Sequence, residues 1–130
     1  MNPDNSKRLP KVLVVDDDQD ISFGTCCRLK HAGYETITAR DGLEGVEQAM
    51  KQLPDAILLD IRMPRMDGFT ALKLLKESER TKNIPVVILS ASIIEQQKAL
   101  DSGAHFFLPK PCGTKQIVDA VHAVVFGTPA

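Results

Sequence analysis

Carboxylates, a hydroxyl and an ammonium stand at the ends of short apolar runs in this chain. Asp16, Asp17 and Asp18 follow residues 12–15, Asp60 follows 56–59, Ser90 follows 86–89, and Lys110, set between Pro109 and Pro111, follows 105–108. Carboxylates from two such runs, brought side by side, raise one another's pKa values unless a cation intervenes. The candidate ligands are all oxygens, with no His or Cys among them, so the implied ion is hard: Mg²⁺, with Mn²⁺ of the same class. A metal held by carboxylates beside a lysine and a serine suits a phosphoryl group, whose oxygens those groups would neutralise and hydrogen-bond. Neither a G-x-x-x-x-G-K-[ST] loop nor a G-x-G-x-x-G follows the first run, so the sequence offers no nucleotide pocket. The phosphoryl group must arrive from elsewhere. A carboxylate such as Asp60 can attack phosphorus itself and carry the group as an acyl phosphate.

These residues converge only if the runs are strands of one sheet. The runs at 12–15, 34–38, 56–59, 86–89 and 105–108 have strand length. VLVV, AILL and VVIL are continuously apolar, which suits central strands covered on both faces, whereas YETIT mixes polar and apolar positions and reads as an edge. Helical periodicity fills the gaps. Ile117, Val121 and Val124 form one stripe, Leu43, Val46 and Met50 a second, and Phe69, Leu72 and Leu75 a third after the turn signal Asp67-Gly68. Residues 21–32 make the weakest helix by propensity, and Gly33 and Gly103 are placed to end the helices before them. Strand and helix alternate five times along the chain. That pattern predicts a doubly wound α/β fold, a five-stranded parallel sheet with helices on both faces. Ligands of such sheets bind beyond the carboxyl ends of the strands, where the charged groups stand.

The chain of 130 residues and 14.3 kDa suits one domain. A formal charge of −1 gives no electrostatic reason to expect nucleic acid or an anionic membrane as partner. No apolar stretch approaches a membrane span and the start of the chain lacks a secretory pattern, so the sequence reads as cytoplasmic. Cys26, Cys27 and Cys112 include an adjacent pair and no Cys-x-x-Cys, and they read as ordinary reduced thiols.

Four motifs in register, VLVVDDD (12–18), LLDIRMPRMDG (58–68), Ser90-Ala91 and FLPKP (107–111), resemble the receiver domain of two-component response regulators. The resemblance covers residues 11–126, with 1–10 and 127–130 expected as tails. It implies a flavodoxin-like sandwich of strand order 2-1-3-4-5 with five helices, switched by phosphorylation of one aspartate. By motif position Asp60 would be the phosphoacceptor. Asp17 would bind Mg²⁺ directly and Asp16 through water, with the backbone carbonyl of Arg62 completing the protein's share. Ser90 would be the switch hydroxyl, Lys110 the phosphate-pairing lysine and Phe107 the switch aromatic, with a cis peptide before Pro111. The implied donor is a phosphohistidine on a sensor histidine kinase or histidine phosphotransfer protein, for which small acyl phosphates can substitute. The implied output is a downstream protein or fused output domain, reached by a monomer or a phosphorylation-dependent dimer. The chain would be a self-modifying phosphoacceptor rather than a turnover enzyme, either free-standing or part of a longer regulator or hybrid kinase.

Ordinary readings stand beside these. Asp18 is assigned to capping the helix that begins near Asp20, and Phe107 is core by residue type and a switch only by position. Ile93 and Ile94 read as packing for the fourth helix, with one of them as an exposed partner contact the alternative, and Cys112, where a bulky apolar residue is usual, as loosening the start of the last helix. Arg62 and Ser92 would flank the phosphoryl group. Three rivals remain: a phosphatase of the haloacid dehalogenase type, which would need an acid where Arg62 stands; a flavodoxin-like FMN binder, whose phosphate DDDQD would repel; and a receiver-like interaction module that is never phosphorylated.

Overall fold

A computed structural model describes residues 9–63 and 65–127. Its element order is β1 (Lys11–Val15), α1 (Gln19–His31), β2 (Glu35–Ala39), α2 (Gly42–Gln52), β3 (Ala56–Asp60), α3 (Gly68–Glu77), β4 (Val86–Ser90), α4 (Glu95–Asp101), β5 (Phe106–Pro109) and α5 (Thr114–Phe126). The strands pair in parallel in the order β2-β1-β3-β4-β5. The doubly wound α/β architecture expected from the sequence is therefore the observed one, with VLVV, AILL and VVIL central and β2 at an edge. Apart from Leu9, Pro10 and Gly127, the expected tails lie outside the described residues.

Alternation along the strands divides the core in two. Leu13, Val15, Ile57, Leu59, Val86 and Ile88 face a cluster shared with α2, α3 and α4, while Val12, Val14, Leu58 and Val87 face α1 and α5. Both faces are apolar because helices cover both, which is why these strands read as unbroken hydrophobic runs. Phe107 is 6 % exposed in the first cluster and pairs in register with Ile88, so its side chain is core in this structure.

Asp60 and Ser90 are the last residues of β3 and β4, at the strand ends where the sequence reading put them. The second strand runs one residue later than expected because Tyr34, 3 % exposed, turns into the α1–α5 layer before the ladder begins. Of the two readings of Ile93 and Ile94, packing for the fourth helix is overturned: both are exposed, 68 % and 87 %, since α4 starts only at Glu95 and uses Ala99 as its buried residue. The start of α5 is closed by Gln116, whose Oε1 accepts the Gly113 N–H at 2.8 Å. Gly33 and Gly103 adopt φ of +101° and +107°, the left-handed conformation that ends a helix. Cys26, Cys27 and Cys112 are free thiols. Among the described residues no helix is long and apolar enough to cross a membrane.

Candidate phosphoacceptor site

Parallel pairing brings the carboxyl ends of β1 and β3 side by side, with Val15 opposite Leu59, so the residues that follow them meet at one rim. Carboxylate oxygens of Asp16, Asp17 and Asp60 lie within 4.8 Å of one another. Asp16 and Asp60 are buried and Asp17 is exposed. The chain holds the two buried carboxylates in place with backbone donors: Asp18 N–H to Asp16 Oδ1 at 2.9 Å, and Arg62 N–H to Asp60 Oδ1 at 3.3 Å. Asp18 borders the cleft that the three aspartates line, but its carboxylate has another task. It caps α1, accepting from the N–H groups of Asp20 and Ile21 at 3.0 and 3.1 Å, as its assignment required.

Lys110 arrives from the far side of β4. Its backbone N–H is held by the Ser90 carbonyl at 2.8 Å, and the bond to Pro111 is cis. Its Nζ donates to Asp60 Oδ2 at 2.9 Å. Asp16, Asp17, Asp60, Arg62 and Lys110 share one cleft of about 280 Å³, bordered by Ile21 and Ala91. An apolar cavity of about 480 Å³ adjoins it, lined by Val14, Leu58, Leu89, Cys112 and Ile117. Burial pushes the Cys112 thiol above its ordinary value, with Lys110 pulling the other way.

Burial raises the Asp16 carboxyl above 3.8, and the neighbouring charges of Asp60 and Asp17 push in the same direction, against the Asp18 N–H and Lys110. One ammonium faces three carboxylates, and among the described residues the Lys110 side chain is hydrogen-bonded to Asp60. An all-oxygen donor set with surplus negative charge fits a hard divalent cation that keeps some of its water. Asp16, Asp17 and Asp60 could hold such an ion, and Arg62 lines the same cleft.

Two candidates stand apart from the cleft. The Ser90 hydroxyl donates to Glu95 Oε1 and accepts from the Ser92 N–H at 3.1 Å. Phe107 is buried beneath, in the core. Sequence reasoning did not single out Glu95. An acid in the first turn of a helix is too common to mark a partner for a serine five residues earlier. It also missed the tether from Arg65, whose φ is +67°, to Asp41, with Nε and Oδ2 3.0 Å apart. That ion pair ties the loop after Asp60 to the N-cap of α2.

The parallel order, the acidic pocket beyond β1 and β3 and the lysine just after β5 together define a receiver-type site. Residues 12–122 match the response regulator receiver domain, and the chain belongs to that family. The DNA-binding dual master transcriptional regulator RpaA of Synechocystis sp. is 38% identical over 119 residues, 90% of this chain and 49% of RpaA. A protein-glutamate methylesterase/protein-glutamine glutaminase of Archaeoglobus fulgidus is 46% identical over 108 residues, 79% of this chain and 30% of that protein. The chain thus spans about half or less of these relatives. Among solved structures, chemotaxis protein CheY4 of Vibrio cholerae superposes with a TM-score of 0.84 at 33% identity, covering 90% of this chain and 99% of CheY4. The receiver domain of sensor histidine kinase PA1611 from Pseudomonas aeruginosa, described with a magnesium ion coordinated in its active site cleft, gives 0.84 at 25% identity over 92% and 99%.

Proposed function

We propose that this receiver domain, assigned to residues 11–126, is a phosphorylation-dependent switch in which Asp60 accepts a phosphoryl group from a phosphohistidine. The donor is a sensor histidine kinase or a histidine phosphotransfer protein. Asp60 Oδ attacks phosphorus, the P–N bond to the donor imidazole breaks, and the electron pair returns to that nitrogen. Lys110 holds the acceptor carboxylate from one side and pairs with the phosphoryl oxygens once they are in place. Asp17, Asp16 through water, Asp60 and the Arg62 carbonyl would hold Mg²⁺, or Mn²⁺ in its stead. When bound, that ion neutralises charge on the transferring group. Ser90 then donates to a phosphoryl oxygen, and Phe107 repacks behind it. The change alters the face built from α4, β5 and α5, and with it the affinity for a downstream protein or fused output domain. Nucleic acid and membrane are not direct partners in this reading, which places the protein in the cytoplasm as a monomer or a phosphorylation-dependent dimer.

The observation that carries the proposal is Asp60 itself: a buried carboxylate 2.9 Å from Lys110 and within 4.8 Å of two further aspartates. Mg²⁺ with acetyl phosphate or phosphoramidate should add one phosphoryl mass to the intact protein, and Asp60→Asn should take up none. Uptake by the Asn variant at the wild-type rate overturns the assignment. Steady phosphate release from many phosphomonoesters would favour the phosphatase rival instead.

A further inference from the structure

We propose that Glu95 is a positioning residue that holds the Ser90 hydroxyl away from the acceptor, competing with the phosphoryl group for the one proton that hydroxyl can donate; this rests on the roles of Asp60 and Ser90 proposed above. Ser90 closes β4 and is 1 % exposed. Its Oγ is committed in both senses, donating to Glu95 Oε1 and accepting from the Ser92 N–H at 3.1 Å. A serine has a single donor hydrogen. Donation to a phosphoryl oxygen on Asp60 therefore requires that Glu95 be released.

The two groups assigned to grip the phosphoryl group are thus both engaged by carboxylates. They differ in whose carboxylate it is. Lys110 is bound to the acceptor, so it is already in place when the phosphoryl group arrives. Ser90 is bound to the first residue of α4, a different element. Exchanging Glu95 for a phosphoryl oxygen replaces one charge-assisted bond with another, so the two arrangements are close in free energy and the Glu95 bond sets their ratio. Glu95 is half-buried, and its N–H bonds the Ser92 carbonyl at 3.2 Å. Letting go of Ser90 consequently loosens the turn that carries Ile93 and Ile94, the two exposed isoleucines of this face. In this way the hydroxyl couples the chemistry at Asp60 to the start of α4.

Beryllofluoride, a phosphoryl mimic, tests this in the full chain with Mg²⁺, with affinity read by titration. Glu95→Ala should tighten binding about tenfold, the worth of one hydrogen bond to a charged acceptor. Glu95→Gln, nearly isosteric and with a neutral acceptor, should preserve the packing and give about threefold. In a Ser90→Ala background the Glu95→Ala change should shift affinity by less than about twofold, because the coupled partner is gone. Unchanged affinity in both Glu95 variants overturns the proposal, as does a tenfold gain that persists without the Ser90 hydroxyl. If the wild-type chain binds no beryllofluoride and takes up no phosphoryl mass, the acceptor reading fails and carries this inference with it.

Discussion

Asp16 is a residue whose burial works against the stability of the fold. Its raised pKa means that the folded chain disfavours the ionised carboxyl relative to the unfolded chain, so at neutral pH the group costs stability that protonation or a cation would return. Asp16→Asn should therefore raise the thermal midpoint of the metal-free protein by a few degrees while weakening Mg²⁺ binding about tenfold or more. Thermal melting and metal titration of the same variant check both halves, and a variant less stable than wild type sinks the argument. Asp16, Asp17, Asp60 and Lys110 were legible in the sequence because residue type and position at a run's end sufficed to mark them. Glu95 was not, since its partner is fixed by the path of the loop between β4 and α4, which no periodicity records.

The elements put two glycines in opposite situations. A Cβ at Gly68 would sit 2.6 Å from the Asp60 carbonyl oxygen and 2.7 Å from Ile61 Cα, because α3 starts against the peptide that follows the acceptor. Gly24, in the middle of α1, has nothing within 4 Å of the same position. Gly68→Ala should thus destabilise by about 1–3 kcal/mol and slow phosphoryl uptake, whereas Gly24→Ala should stabilise by about 0.5–1 kcal/mol through helix propensity alone. Denaturant melts of the pair, with uptake rates, decide it. Asp41 supplies a pH-dependent case. The Glu44 N–H, followed by Arg65, holds its carboxyl below 3.8, so its contribution is full above that value and lost as pH falls through the lower folded pKa. Asp41→Ala should cost about 1 kcal/mol at neutral pH, and the difference from wild type should shrink in strong acid. A deficit independent of pH would exclude this cause. The cap at Asp18, the turn signal at Asp67-Gly68 and the apolar stripes made α1, α2, α3 and α5 readable. By contrast α4 has one buried side chain, Ala99, and no side-chain cap, so the sequence marked no start for it and left its isoleucines between packing and an exposed contact.

At the scale of the whole molecule, the carboxylate pit should make stability depend on divalent metal. Mg²⁺ at about a hundred times its Kd should stabilise the chain by about 2.7 kcal/mol, and Asp17→Asn should abolish most of that gain. A midpoint indifferent to Mg²⁺, or shifted equally in the variant, contradicts the proposed ligand set. The sheet order was legible only through family resemblance, because alternation of strands and helices fixes a parallel sheet without saying which strands are neighbours. That order has a temporal consequence. Asp60 closes β3, while the lysine beside it is delivered by β5, which pairs only with β4. A nascent chain that has emerged through the helix ending at Asp101 owns the nucleophile but lacks its cation. If Asp60 is the acceptor proposed above, competence to receive a signal is withheld during synthesis until the final strand docks, and a truncated product that ends before Lys110 should take up no phosphoryl group.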